Sequence, residues 1–327
     1  MTAAGAAWAE ARRRALDLVA APPPLLVVSD FDGTLAPISP DPMGAAIEPI
    51  ARRAIRRLAR LAAERPERVV VVLLSGRTAE DLAGRVRIGG VGYLGNHGVE
   101  TGRLGRAGRA VGRARLTVEV DPDLERWVAP ATAVGDAVAS RLGNPDWLFV
   151  ERKGSSVAFH FRAARDVDAA RLAVLEAIES AERAAGGTGL ARLEGRRIVE
   201  LRPEIAGGKG SAVERLIARV GPGAVLAMGD DRSDAEAFAI VARERAAGRL
   251  AGLTVAVHAA AETPTEVKET ADVELATPRD AARLLSSVAG ALEREGRRSG
   301  AIGATRSRSR PGGGGRGTGP GRATAAS

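Results

Sequence analysis

Five short, nearly unbroken apolar stretches constrain this chain more than anything else in it: 25–29 (LLVVS), 69–74 (VVVVLL), 91–94 (VGYL), 224–228 (AVLAM) and 253–257 (LTVAV). Such runs are too short for helices and lack in-out alternation. They suit strands buried on both faces, as in a parallel sheet clad by helices. Helical spacing fills the gaps: Ile47, Ile50, Ala54, Ile55, Leu58, Leu61 and Ala62 recur on one side, and Val213, Leu216, Ile217 and Val220 follow Lys209 in the same way. Strand and helix alternate, which predicts a doubly wound, Rossmann-like α/β core. Ligands bind such sheets at the carboxyl ends of the strands. The chemistry is therefore sought in the residues that follow each strand.

Residues 111–204 read differently. In "DWLFVERKGSSVAFHFR" the apolar Val157, Phe159 and Phe161 alternate with Ser156, Ala158, His160 and Arg162, and Val199 and Leu201 alternate with Ile198, Glu200 and Arg202. Alternation marks sheets with one buried and one solvated face. A helix is expected over about 166–185 and a hairpin turn at 194–196. This predicts an α+β cap domain inserted between core segments 22–110 and 205–292. Residues 1–21 read as an amphipathic helix with Trp8, Leu16 and Val19 along one side. Residues 293–327, rich in Gly, Ser, Arg and Pro, read as a disordered basic tail.

Charge and composition narrow the function. The chain carries +8, but residues 293–327 hold eight arginines and two glutamates, so the remaining 292 residues carry only +2. A nucleic-acid partner is therefore not expected, because its footprint normally covers a face of the fold. There is no cysteine and there are three histidines, which excludes disulfides and thiolate metal sites and disfavours a multi-histidine zinc site. No apolar run approaches the ~20 residues of a membrane span, and no basic-then-apolar leader opens the chain. A cytoplasmic protein without a membrane partner is expected. Its oligomeric state is left open.

The residues after the strands carry the chemical signal. "DFDGTLAPI" at 30–38 puts Asp30 and Asp32 two apart at a strand end, followed by Gly33 and Thr34. Phosphoryl transfer to water needs a nucleophile, a proton donor for the leaving oxygen and a cation for the phosphoryl oxygens. One aspartate can attack while the other protonates, and a glycine lets the chain turn back beside the phosphate. Ser75, in Ser75-Gly76-Arg77, could hydrogen-bond a phosphoryl oxygen, although alone it reads as a helix cap. Lys209, in "GGKGS", opens a helix, where its charge opposes the macrodipole unless an anion lies nearby. "GDDRSDAEAF" offers Asp230, Asp231 and Asp234, a cluster that repels itself without a cation. Hard oxygen donors with no His or Cys point to Mg²⁺. Alone, Asp234 also reads as a helix cap.

Taken together, this order of motifs resembles the haloacid-dehalogenase-like phosphatase superfamily. The resemblance implies Asp30 as nucleophile and Asp32 as general acid and then base, its carbonyl also holding Mg²⁺. It implies Ser75 and Lys209 on the phosphoryl group, Asp230 as a metal ligand, and Asp231 and Asp234 ligating or supporting. "GNHGVE" at 95–100, "ERKGSSVAFHFR" at 151–162, "VELRP" at 199–203 and "GDDRSDAEAF" are similar to segments of trehalose-6-phosphate phosphatases. That likeness implies Mg²⁺-dependent hydrolysis of trehalose 6-phosphate, the last step of trehalose biosynthesis. Glu151, Lys153 and Glu200 would then contact sugar hydroxyls, with Gly33, Arg77, Asn96, His97, His160 and Arg162 at or beside the substrate. The family usually shows Thr at Ser233 and acidic residues where this chain has Ala235 and Glu236. Alternatives at this stage are the same chemistry on sucrose phosphate or mannosyl-phosphoglycerate, and a non-catalytic nucleic-acid binder held by the tail.

Overall fold

The computed structural model describes residues 3–39, 41, 44–105, 115–120, 122–195, 197–258 and 264–308. Twelve strands form two sheets among the described residues. The strands of the large sheet are β1 (Leu25–Ser29), β2 (Val69–Leu74), β3 (Gly92–Gly95), β4 (Glu100–Leu104), β5 (Leu116–Val120), β10 (Ala224–Gly229), β11 (Ala251–Val257) and β12 (Val273–Leu275). The small sheet holds β6 (Phe149–Lys153), β7 (Ser156–His160), β8 (Leu190–Glu194) and β9 (Ile198–Pro203). The helices are α1 (Ala3–Ala20), α2 (Pro49–Glu64), α3 (Ala79–Val86), α4 (Val128–Arg141), α5 (Val167–Ala184), α6 (Lys209–Val220), α7 (Arg232–Ala246), α8 (Thr265–Thr270) and α9 (Pro278–Arg308).

The large sheet runs β12-β11-β10-β1-β2-β3-β4-β5. It is parallel from β12 to β3 and then antiparallel. Its apolar strands are buried on both faces, as their unbroken sequences require. Leu25 and Val27 of β1 pack with α1, α2, α3 and α9, whereas Leu26 and Val28 pack with α6, α7 and α8. All five expected core strands are present. On α1 the fully buried positions are Ala11 and Ala15, with Leu18 and Val19 beside them, while Trp8 and Leu16 are only half-buried.

Two boundaries differ from expectation. β5 pairs with β4 at the edge of the large sheet, so residues 116–120 belong to the core rather than to the cap. Leu116, Val118 and Val120 alternate with Thr117 and Glu119 as cap strands do, yet the strand lies at the edge of the large sheet with its side chains mostly exposed. The last helix also runs past residue 293, to Arg308. Glu293 pairs with Arg57 and Arg60 of α2, and Glu295 pairs with Arg68, so the first part of the expected tail is anchored to the core. Residues 309–327 lie outside the described residues, as does Arg196 of the expected hairpin turn.

The small sheet, β6-β7-β9-β8, is antiparallel. Val157, Phe159, Val199 and Leu201 bury one face against α4 and α5. Its other face was expected to be solvated, but Lys153, Ser156, Ala158 and Glu200 on it are buried. It is turned toward the core. Among the described residues no helix is long and apolar enough to cross a membrane.

Candidate active site

The end of β1 is shaped by one tight turn. The Asp30 amide continues the ladder to the Met228 carbonyl at 2.9 Å, and the amides of Leu35 and Ala36 both return to the Phe31 carbonyl. Gly33 sits at φ +77, and a Cβ there would lie 2.1 Å from an Asp230 carboxylate oxygen. Only glycine serves this position. Its own amide donates to the Ala36 carbonyl at 2.7 Å, so within the turn its contribution is space for Asp230. Thr34, fully buried, donates to Asp230 Oδ1 at 3.3 Å.

Lys209 reaches into the same place from the first turn of α6. Its Nζ donates to Asp30 Oδ1 at 2.6 Å and to Asp234 Oδ1 at 2.8 Å. Burial works against the ammonium, but Asp234 and Asp30 hold it well above the usual lysine range. The carboxylates are less well provided for. Burial pushes the Asp30 carboxyl up to about 7, with Lys209 opposing the rise and Asp234 and Asp32 adding to it. Burial, then Asp30 and Asp234, push Asp230 well above its ordinary value. Three buried carboxylates thus face one ammonium, an excess of two negative charges. Each uncompensated buried ion costs on the order of several kcal/mol. Oxygens of Asp30, Asp230 and Asp234 lie within 4.8 Å of one another. This all-oxygen donor set fits a hard divalent cation in both charge and chemistry.

The aspartates of α7 divide their work differently from expectation. Asp231, not Asp234, caps the helix and is exposed, outside the three-carboxylate cluster. Asp234 occupies the third position of the helix. Its Oδ2 accepts the Asp230 and Asp231 amides at 3.2 Å each, which leaves Oδ1 for Lys209.

The segment after β2 joins core to cap. Ser75 is 1 % exposed, and its Oγ accepts the Arg77 amide at 3.2 Å. The cap of α3 is Thr78, so the Ser75 hydroxyl is not spent on capping that helix. Arg77 grips Asp32, whose side chain lies outside the three-carboxylate cluster. The Gly76 carbonyl accepts Lys153 Nζ of the cap at 2.9 Å.

On the facing side of the cap, register places Glu151, Ala158 and Glu200 in one row across β6, β7 and β9. Lys153 Nζ lies 3.6 Å from Glu151 and 3.9 Å from Glu200. His160 Nε2 is 2.9 Å from Glu151, and His97 Nε2 of the core is 3.6 Å from Glu200. Burial works to raise the Glu200 carboxyl, but Lys153, His97 and Arg202 hold it well below the usual range. Burial likewise opposes the ionised Glu151, and His160 and Lys153 outweigh it. Asn96 and His97 both adopt positive φ in the turn after β3, which carries His97 toward Glu200. The Asn96 amide group donates to the Lys153 carbonyl at 3.2 Å and to Glu100. Arg162 is exposed and donates instead across to the Ser39 carbonyl at 3.4 Å.

Three participants had no assigned role. Glu100 closes the "GNHGVE" segment and accepts both Asn96 and the Ala79 amide at the start of α3. Thr34 stands within the first motif. Asp81, a second carboxylate on Arg77, carried no motif signal.

Carboxylates and a lysine at neighbouring strand ends of a doubly wound sheet, beneath an inserted cap, define a haloacid-dehalogenase-like protein. A family model described as trehalose-phosphatase matches residues 28–275. The chain belongs to the trehalose-phosphatase family. A trehalose-phosphate phosphatase of Mycobacterium marinum is 36% identical over 219 residues, 65% of this chain and 50% of that protein. A bifunctional trehalose-6-phosphate synthase/phosphatase of Thermoproteus tenax is 34% identical over 216 residues, 66% of this chain and 27% of that protein. The C. albicans trehalose-6-phosphate phosphatase C-terminal domain shares the fold, with a TM-score of 0.64 at 22% identity over 85% of this chain and 96% of that one. The chain spans half or less of the length of these curated relatives.

Proposed function

We propose that the chain hydrolyses trehalose 6-phosphate to trehalose and phosphate through an aspartyl-phosphate on Asp30. The observation that carries this reading is the Asp30–Lys209–Asp234 contact at the strand ends, beside Asp230 and beneath the charged face of the cap. The family match supports the substrate.

Asp30, Asp230 and Asp234 would hold Mg²⁺, which when bound offsets their mutual repulsion and neutralises charge on the phosphoryl oxygens. Lys209 and the Ser75 hydroxyl orient the phosphoryl group. Asp30 attacks phosphorus in line as the bond to the sugar oxygen breaks, and Asp32 gives that oxygen its proton. Water then attacks the aspartyl-phosphate and yields its proton to Asp32. Phosphate leaves, and the Asp30 carboxylate is regenerated. Glu151, Lys153 and Glu200 present acceptors and a donor to sugar hydroxyls, with His97 and His160 fixing the two carboxylates. Cap closure excludes bulk water from the reacting centre.

Phosphate release from trehalose 6-phosphate, glucose 6-phosphate and sucrose 6-phosphate, with and without Mg²⁺, tests this. Strong Mg²⁺-dependent preference for trehalose 6-phosphate is expected. Preference for another sugar phosphate would overturn the substrate and keep the mechanism.

A further inference from the structure

The acid–base carboxylate is not held where the other carboxylates are. One guanidinium occupies both oxygens of Asp32: Arg77 Nε donates to Oδ2 at 2.6 Å and Nη2 to Oδ1 at 2.8 Å. The third nitrogen, Nη1, donates to Asp81 Oδ2 at 2.7 Å. Asp81 is in turn clamped by Arg85, whose Nε lies 2.9 and 2.8 Å from its two oxygens. Arg85 Nη1 is tied to the Ala45 carbonyl at 2.8 Å. The spacing explains the chain of contacts. Asp81 and Arg85 lie four apart on one side of α3, and Arg77 directly precedes its Thr78 cap. The Arg77 side chain is 14% exposed and that of Arg85 11%, while the Arg77 guanidinium lies 5.8 Å from the centre of the Phe31 ring. A planar fork fixed on one edge by Asp81 presents its other edge to Asp32 in one orientation.

We propose that Asp81, braced by Arg85, is a positioning residue that acts through Arg77 to place Asp32 for proton donation to the leaving sugar oxygen. The proposal rests on the reading of Asp32 given under the proposed function. Loss of Asp81 removes the carboxylate that fixes Nη1, and the fork then presents its other edge to Asp32 in a less defined orientation.

Leaving-group chemistry separates positioning from simple support of the fold. A sugar oxygen departs poorly without a proton, whereas p-nitrophenolate departs readily as the anion. The experiment compares kcat/KM for trehalose 6-phosphate and for p-nitrophenyl phosphate in the wild type, Asp81→Asn, Arg85→Gln and Arg77→Lys. The ratio kcat/KM reads only the first phosphoryl transfer, so slow hydrolysis of the aspartyl-phosphate does not mask the effect. Asp81→Asn is expected to lower kcat/KM on the sugar phosphate by about 10- to 100-fold and to leave the aryl phosphate nearly unchanged. Arg85→Gln should act in the same direction with a smaller loss. Arg77→Lys keeps the charge without the fork, and it should match or exceed Asp81→Asn. Equal losses on both substrates, or none on either, overturn the proposal. If Asp81→Asn fails to fold, as a thermal melt would report, the other two variants decide the matter by the same criterion. A wild type that releases phosphate from neither compound refutes the phosphatase reading, and this proposal with it.

Discussion

The strand ends of the core and the facing side of the cap are both buried and both charged, yet they settle their charge in opposite ways. At the strand ends, Asp30, Asp230 and Asp234 share a single ammonium, and burial drives two of the three carboxyls upward. In the cap, Glu151 and Glu200 share Lys153 and each also has its own histidine. There the same burial loses, and both carboxyls are held down. The core is left short of positive charge, which a divalent cation would supply. The cap carboxylates are partnered before any ligand arrives, which fits the proposed docking of uncharged hydroxyls there. A nearly neutral substrate end can dock on it without an ionic penalty.

This contrast makes three predictions, taken from the largest effect to the smallest. If bonds break at the core and the cap only holds the sugar, Asp30→Asn should lower kcat by about 10⁴-fold or more with the melting curve intact. Lys153→Met should act mainly through KM. A Lys153→Met variant that loses kcat as severely as Asp30→Asn would erase the distinction.

The second prediction concerns stability. Mg²⁺ should raise the Tm of the wild type by several degrees through preferential binding to the folded state. Asp230→Asn removes one of the repelling carboxylates, so it should melt higher than wild type without Mg²⁺ and gain little from Mg²⁺. A variant that melts lower and still responds to Mg²⁺ would remove Asp230 from the cation site.

The third prediction, and the smallest, is a pair of opposed pH slopes in the metal-free protein. The folded pKa of Asp30 is raised to about 7, so its contribution is full below its unfolded value and is lost as pH rises toward 7. The folded pKa of Glu200 is depressed, so its contribution is full above its unfolded value, about 4.3, and is lost as pH falls below that. Melting at stepped pH should show Asp30→Asn flattening the upper slope and Glu200→Gln flattening the lower. Slopes that exchange places would contradict the assignment of charge to the two regions.

Much of the fold was legible because its evidence is local. Each buried parallel strand is a contiguous apolar run; "DFDG", "SGR" and "GDDRSD" directly follow such runs, and "GGKGS" opens the helix that precedes one. β4 has no apolar run to read, and the alternation of Leu116, Val118 and Val120 in β5 matches that of the cap strands although β5 pairs with β4 at the sheet edge. The three-residue β12 was too short to read. The continuation of α9 was hidden by composition. Glu293 and Glu295 look like tail residues until Arg57, Arg60 and Arg68, more than 220 positions earlier, come to meet them.

By itself, then, the sequence determined that strands and helices alternate, where each strand ends, and which carboxylates, hydroxyl and lysine stand at those ends. These are consequences of side-chain polarity over a few neighbouring residues. The tertiary structure decided which of those groups share charge. It gathered Asp30, Asp230 and Asp234 around Lys209, left Asp231 to cap a helix, gave Asp32 to Arg77, and buried the polar face of the cap against the core. Charge interactions depend on separation in space and on exclusion of water, and for groups some 200 residues apart neither is written in local pattern.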